Sequence, residues 1–435
     1  MASGSQPTIL VIVGISGDLA RRKLLPAIQA IAKAGELPED FRIVGVTRRE
    51  LKASDVLDKG SELAQCLKMY QMDLADPADY KKLAAYLGDL ESNFSAAAQR
   101  LFYLSVPPQV SQPIIENMGN AERARGTQTK LLLEKPFGTD LASAEDLVDH
   151  TKKFFDEEQV YRIDHYLAKE MAQNILVFRS SNSLFRHTWN KDFIDRIDII
   201  ASEKIGIEGR AVFYEQTGAL RDIVQSHLLQ LAALTLMEMP AYGDWTNVPK
   251  KRAAALRSLQ LAGDARRGQY RGYSEEVQNP GSTTETFTAL TLESRDPRWE
   301  GVQFRLATGK ALKEKSTEIR IHYKQEDARE ANQLVLRVQP REGVEVALWA
   351  KRPGYERQLE HVPLRFTYED HFTALPDAYE QVLLDAIRSD HSLFTSNDEV
   401  LAAWKIIAPI QHTWSMHSDD LLLYDEGTSI ENLLQ

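Results

Sequence analysis

Thr8-Ile9-Leu10-Val11-Ile12-Val13-Gly14-Ile15-Ser16-Gly17-Asp18-Leu19-Ala20 stands near the start of the chain and decides how the first third folds. Its opening run, short, apolar and rich in β-branched residues, reads as a strand buried on both faces. The two glycines let the backbone turn sharply and approach a pyrophosphate. The free N–H groups and dipole of a helix starting near Leu19 would stabilise that anion. The spacing is G-x-x-G-x-x-A instead of the usual G-x-G-x-x-G, so a glycine-rich turn that binds nothing stays open as a reading.

Working outward, Phe41 to Val46, Leu101 to Val106 and Thr129 to Lys135 read as further buried strands. Leu51 to Met69, Pro77 to Glu91 and Leu141 to Phe155 read as the helices between them. Repeated βα units with near-continuous apolar strands predict a doubly wound parallel sheet of the dinucleotide-binding type. Past the second strand, where an acidic residue would accept hydrogen bonds from an NAD ribose, the chain reads Thr47-Arg48-Arg49. Two guanidiniums suit a 2′-phosphate and favour NADP, although an arginine pair there also fits a plain solvated edge.

After about residue 160 the pattern changes. A helix is expected from Leu167 to Arg179, a strand from Arg196 to Glu203 and an apolar helix from Ile223 to Met239. Strands are expected at Thr283 to Leu292, Val302 to Ala307, Glu318 to Tyr323, Gln333 to Val338 and Gly343 to Ala350. Helices return at Ala378 to Arg388 and Asp398 to Met416, and residues 241–281 give no readable pattern. The fold class is α/β: a Rossmann-type domain over residues 1–162, then a larger α+β domain over 163–435 with a large, mostly antiparallel sheet.

The bulk properties narrow the function. Apolar content of 43% with 26% charged residues is that of a folded globular chain, not a disordered one. A net charge of −11 gives no general attraction to nucleic acid or to a membrane surface. An anionic ligand therefore needs a local nest of cations. Cys66 is the only cysteine, so no intrachain disulfide forms and a reducing, cytoplasmic setting is expected. The leader lacks the charge of a secretory signal, and Ile9 to Val13 is too short for a signal core or a membrane span.

Three segments carry candidate chemistry. Arg162-Ile-Asp-His-Tyr-Leu-Ala-Lys-Glu170 packs an imidazole, an ammonium and carboxylates into one grip. On a helix, His165 and Lys169 stand at i and i+4 and converge on one phosphate, with Asp164 about 100° away. Glu134-Lys-Pro-Phe-Gly138 ends a strand at the border of a ligand crevice, where Lys135 either reaches the reacting centre or is simply solvated. Arg221-Asp-Ile-Val-Gln-Ser-His227 opens the apolar helix; Asp222 and His227, five apart, lie roughly 140° around an α-helix and should not pair. A base histidine needs a carboxylate on its far nitrogen, and Asp164 is the natural candidate. His227 as a core residue and Asp222 as a helix cap remain the plain structural alternatives.

With these residues in view the chain resembles the glucose-6-phosphate dehydrogenase family over essentially its whole length. The carrying segments are Gly14 to Pro26, Glu134 to Gly138, Arg162 to Glu170, Arg221 to Gln230, Arg305 to Leu312 and Arg337 to Pro340, in that order. The resemblance implies that His227 is the general base, with Asp164 holding it. It implies that His165, Tyr166 and Lys169 bind the sugar phosphate, and that Glu203 and Asp222 bind sugar hydroxyls. Lys310, Lys315 and Gln339 would close the site from the sheet. Lys135 would touch both substrate and cofactor. Gly14, Ile15, Ser16, Gly17, Asp18, Leu19, Ala20, Arg21 and Arg48 would hold NADP, with NAD as a possible second cofactor.

It further implies glucose 6-phosphate as substrate, a δ-lactone product, no required metal, and a homodimer through the large sheet or else a tetramer. Three positions depart from the family pattern. Ala168 stands where glycine is common, and Lys315 where arginine also occurs. Ser316 replaces a lysine of members that carry a second NADP site, so that site is expected to be missing. The rival readings are a dehydrogenase of an unphosphorylated sugar, of the glucose-fructose oxidoreductase type, and a non-catalytic NADP-binding sensor.

Overall fold

Each of the residues Thr8–Val13 is buried, which is why the run forms a central strand and not a surface one. The structure is a computed structural model that describes residues 6–435 apart from 59, 242, 326–328, 373–374 and 418. The chain divides into two compact units. The first comprises residues 1–138, 142–168 and 376–397, and the second 139–141, 169–375 and 398–435.

In the first unit, β1 (Thr8–Val13), β2 (Phe41–Thr47), β3 (Leu67–Gln71), β4 (Gln99–Leu104), β5 (Thr129–Glu134) and β6 (Val160–Ile163) form a sheet in the order 3-2-1-4-5-6. All these neighbours pair in parallel. A short antiparallel strand, Phe394–Thr395, completes the far edge beside β6. Strand order reverses between β1 and β4, which opens a crevice at their carboxyl ends. Helix Leu25–Lys33 covers one face, and helix Ala378–Arg388 packs against it through Val382, Leu383 and Ala386. Burial of a side chain such as Val382 or Leu383 contributes about 1.5–3 kcal/mol.

The expected helix over Leu51 to Met69 does not form. The segment makes isolated turns at Ala53–Asp55 and Glu62–Gln65, and its end becomes β3. Gly60 with positive φ and the Ser61 side chain accepting the Leu63 N–H break the helix, and pairing to β2 takes the rest. The helix Ser111–Glu122, unread in the sequence, lies between β4 and β5.

The second unit is built on one large sheet. Its strands run Leu359–Thr367, Gly343–Lys351, Gln333–Gln339, Ser316–Tyr323, Ile194–Ser202, Gln303–Gly309, Phe287–Ser294, Arg266–Tyr270 and Leu421–Tyr424. Pairing is antiparallel except where Ile194–Ser202 meets Gln303–Gly309 and where Leu421–Tyr424 meets Arg266–Tyr270. The register brings Ser202 beside both Gly309 and Ser316, and Thr317 beside Gln339. Four chain segments therefore leave the sheet at one end. Residues 241–281, unreadable beforehand, hold the helix Val248–Ser258 and two strands, Leu259–Leu261 and Arg266–Tyr270. Strand Leu359–Thr367 also escaped notice because Pro363 interrupts its pattern, which an edge strand tolerates. No helix among the described residues is long and apolar enough to cross a membrane.

Candidate active site

The turn after β1 is shaped by contact with the neighbouring strand. Gly14 has φ +90°, and a Cβ there would lie 2.4 Å from the Ser105 carbonyl oxygen beyond β4. Gly14 and Gly17 are tied by an N–H to carbonyl bond of 2.9 Å, and Arg21 N–H donates to the Gly17 carbonyl at 3.1 Å. The helix that follows is wide over Ala20–Leu24, with i→i+5 bonding, and becomes an ordinary α-helix from Leu25.

Gly14, Ser16, Gly17 and Arg21 line a cavity of about 790 Å³ together with Arg48 and Arg49. Ile15 and Ala20 are buried in the core, so their contribution there is backbone; Asp18 is exposed and pairs loosely with Arg22 at 3.9 Å. Thr47 Oγ1 accepts the Arg49 N–H at 3.1 Å and the Gln71 amide donates to the Arg48 carbonyl at 3.2 Å, which fixes the turn beneath two exposed guanidiniums. Volume, glycine-lined floor, helix N-terminus and guanidinium rim fit a phosphorylated dinucleotide.

At the end of β5, Glu134 accepts the Tyr103 hydroxyl, and burial pushes its carboxyl pKa up. Lys135 follows, joined to Pro136 by a cis peptide bond. Beyond β6 the chain does not enter a helix as expected. The Asp164 carboxylate accepts the Tyr166 N–H at 2.9 Å and the Asp164 carbonyl accepts the Leu167 N–H at 3.1 Å, making a turn. The helix begins only at Glu170, so His165 and Lys169 are not i and i+4 on one helical face. Asp164, Tyr166 and Ala168 are buried, and the His165 ring meets Tyr166 edge-on with centroids 5.1 Å apart. In the second unit, Lys169 precedes that helix and sits 4.0 Å from Glu342, whose other oxygen accepts the Met171 N–H at 2.7 Å. Burial raises the Glu342 pKa, and no local pattern around this residue marks its position.

The polar end of the large sheet collects most of the other candidates. Glu203 follows Ile194–Ser202, and Lys310 follows Gln303–Gly309. Their side chains form an ion pair, with Lys310 buried. The Lys310 ammonium lies 5.2 Å from the centre of the Tyr214 ring. Tyr214 is fully buried, which holds its phenol well above the usual range, with the Asp222 charge second in effect. Gln339 donates to Thr317 Oγ1 at 2.9 Å, while Lys315 is exposed just before Ser316–Tyr323. Glu203, Lys310, Lys315 and Gln339 thus share one end of the sheet.

Asp222 and His227 are both buried, on a helical stretch, Leu220–Leu228, that packs against Ile194–Ser202 and Gln303–Gly309. This stretch is π-type, with the Leu229 N–H donating to the Val224 carbonyl. The expected separation of roughly 140° assumed an α-helix. In the wider i→i+5 turn, residues five apart come round to the same side, so Asp222 and His227 share a face. Periodicity could not show this, because a π stretch has no compositional mark.

Comparison with known proteins adds the following. Residues 11–174 match the family model described as glucose-6-phosphate dehydrogenase, NAD binding domain, and residues 176–432 match that of the C-terminal domain. A glucose-6-phosphate 1-dehydrogenase of Aggregatibacter actinomycetemcomitans is 38% identical, covering 96% of this chain and 93% of that protein. Its counterpart in Chlamydia muridarum is 36% identical over 94% of this chain and 90% of its own length. A solved glucose-6-phosphate dehydrogenase in complex with its substrate glucose 6-phosphate superposes with a TM-score of 0.91 at 29% identity, covering 99% of this chain and 96% of that one.

Proposed function

The chain belongs to the glucose-6-phosphate dehydrogenase family, and from that premise we infer that it oxidises glucose 6-phosphate at C1 to 6-phosphoglucono-δ-lactone, the first step of the oxidative pentose phosphate pathway. It is an NADP-dependent oxidoreductase acting on a CH–OH group. The observation that carries the reading is the agreement of both family halves with one polar sheet end, where buried Lys310 and its ion-pair partner Glu203 stand near the helical stretch bearing Asp222 and His227.

In this proposal His227 removes the proton from the C1 hydroxyl as the C1–H bond breaks with its electron pair. Bound NADP supplies the hydride acceptor. Charge developing on the C1 oxygen makes the hydride leave more readily, so a base held against that hydroxyl lowers the barrier. Asp164 accepts from the other ring nitrogen of His227, fixing its tautomer and stabilising the imidazolium. Glu203 and Asp222 accept hydrogen bonds from sugar hydroxyls. Lys310, Lys315 and Gln339 close the sugar from the sheet. His165, Tyr166 and Lys169 take the phosphate, whose binding energy orients the reacting carbon. Lys135 borders substrate and cofactor alike. Gly14 to Arg21 hold the pyrophosphate, and Arg48 takes the 2′-phosphate.

The functional division proposed is 1–162 for cofactor and 163–435 for substrate and dimerisation. The outer strands Gly343–Lys351 and Leu359–Thr367 expose Leu348, Leu359, Val362 and Leu364, which supports a homodimer through that sheet. The single, partly buried Cys66 supports a cytoplasmic setting.

Initial rates with glucose 6-phosphate and glucose, each with NADP and NAD, test the reading. Turnover of the phosphorylated sugar with NADP is the expected result. Preference for free glucose would move the chain to the unphosphorylated-sugar class, and no turnover of either would favour a sensor.

A further inference from the structure

We propose that Glu285 is a positioning residue for His227, acting through the first turn of the stretch that carries it. The proposal rests on the reading of His227 as the base. Glu285 is 7% exposed and just precedes the strand Phe287–Ser294. Its main-chain carbonyl accepts the Ala219 N–H at 2.9 Å, and its carboxylate accepts the Leu220 N–H at 2.9 Å. Helix starts leave such N–H groups without intrahelical partners, and Ala219 and Leu220 are too buried for water to serve. One residue therefore satisfies two successive donors.

The fit is close on the other side as well. Gly218 breaks the helix before this point, with φ +66° and ψ 173°. A Cβ there would lie 2.4 Å from the Glu285 carboxylate, so a glycine at 218 is what lets Glu285 reach the helix start. The Arg221 guanidinium spans the same break, donating to the Thr217 carbonyl at 2.7 Å.

The far end is pinned too. The helix continues as Leu229–Leu236, and its last carbonyls accept from side chains outside it. Arg179 donates to the carbonyls of Leu234 and Met237 at 2.6 and 2.7 Å, Trp189 to that of Thr235 at 2.8 Å, and Trp299 to that of Leu236 at 2.9 Å. A π-type stretch holds one residue more per hydrogen-bonded ring than an α-helix and is rarely stable alone. With both ends held, Leu220–Leu228 cannot relax into α-helix. Released at its start, it can, and relaxation turns His227 away from the face it shares with Asp222.

What the helix start needs from Glu285 is an acceptor at full reach, not a charge. Glu285→Gln keeps the reach and an amide oxygen; Glu285→Asp keeps the carboxyl and loses one methylene of reach. Both variants are compared with the parent and with His227→Asn for kcat, KM for each substrate, the primary isotope effect with C1-deuterated glucose 6-phosphate, and the melting curve. Glu285→Gln is expected to retain most of the turnover. Glu285→Asp should lose about a hundredfold in kcat, the scale of a misplacement near 1 Å, with KM for NADP unchanged and a larger isotope effect. A Gln variant as poor as the Asp variant, or an Asp variant at parent turnover, overturns the proposal. Near-parent turnover of His227→Asn removes the base assignment instead, which separates the two failures.

Discussion

Two regions, one in each unit, handle charge in opposite ways. In the first, the cofactor crevice is lined by backbone at Gly14 and Gly17 and by exposed guanidiniums of Arg48 and Arg49. In the second, at the polar end of the sheet, buried Lys310 stands against half-buried Glu203 and the buried Tyr214 ring, with buried Asp222 and His227 on a helical stretch packed on the same strands. Exposed cations around a backbone cradle are suited to binding, because they cost little to keep solvated and little to substitute. Buried charged groups are costly to keep, and a fold that retains them uses them in a water-poor place where electrostatic effects are large. Substitutions in the first region should change affinity, and those in the second should change turnover and stability.

The largest effect is expected of Asp164→Asn, a buried side chain of the first unit outside the cofactor crevice, which tests whether burial and not the unit decides the outcome. Asparagine still accepts the Tyr166 N–H that makes the turn, so the local structure survives while the charge is lost. Turnover should fall about a hundred- to ten-thousand-fold, read from initial rates at saturating substrates. A loss confined to KM would move Asp164 from the chemistry to binding.

Lys310→Met comes next. Glu203 then loses its cation, and removal of a charge-assisted hydrogen bond should cost about 1.5–3 kcal/mol of stability by denaturant melts, with a higher half-saturating sugar phosphate. If the variant keeps both values, the ion pair is incidental to the site.

Arg48→Ala belongs to the other region and should touch affinity alone. NADP should bind about tenfold more weakly, near 1.4 kcal/mol, with NAD unchanged and kcat at saturation preserved. Equal losses for the two nucleotides in a titration would make Arg48 structural.

The smallest effect on turnover concerns a buried carboxyl in the first unit that serves no chemistry. Burial and the Asp390 charge push Asp385 from 3.8 up to about 7, and the Gln381 amide only partly offsets this at 2.8 Å. The folded form holds the proton more tightly than the unfolded chain, so stability falls as pH rises from about 4 to about 7 and is flat above. Asp385→Asn removes that loss. It should be more stable than the parent at pH 8 and show no gain at pH 4. The same gain at both pH values would contradict the account.

Much of this was legible in the sequence, for reasons that differ by place. Thr8–Val13, Pro77–Glu91 and Ala378–Arg388 were read with their observed bounds. The first is buried throughout, and in the structure Asp76 and Asp377 cap the two helices by accepting the Ala78 and Tyr379 N–H groups. The family was legible because several short motifs occur together in order. Long-range and irregular features were not. Leu51 to Met69 has helix-like periodicity, but β2 recruits its end as a strand. The turn at Asp164 uses a side-chain acceptor where an α-helix was equally plausible. The π-type stretch changed which residues share a face, and nothing in composition announces such a stretch. Glu285 and Glu342 gained their roles only through contacts 65 and 171 residues away.

The central claim is that the buried end of the second unit acts through the imidazole of His227, and one measurement meets it directly. Single-turnover hydride transfer in His227→Asn, with glucose 6-phosphate and NADP both saturating, isolates the chemical step from binding. The account predicts unchanged substrate affinity and NADPH formation slowed about a hundred- to ten-thousand-fold. NADPH appearing at close to the parent rate would contradict it.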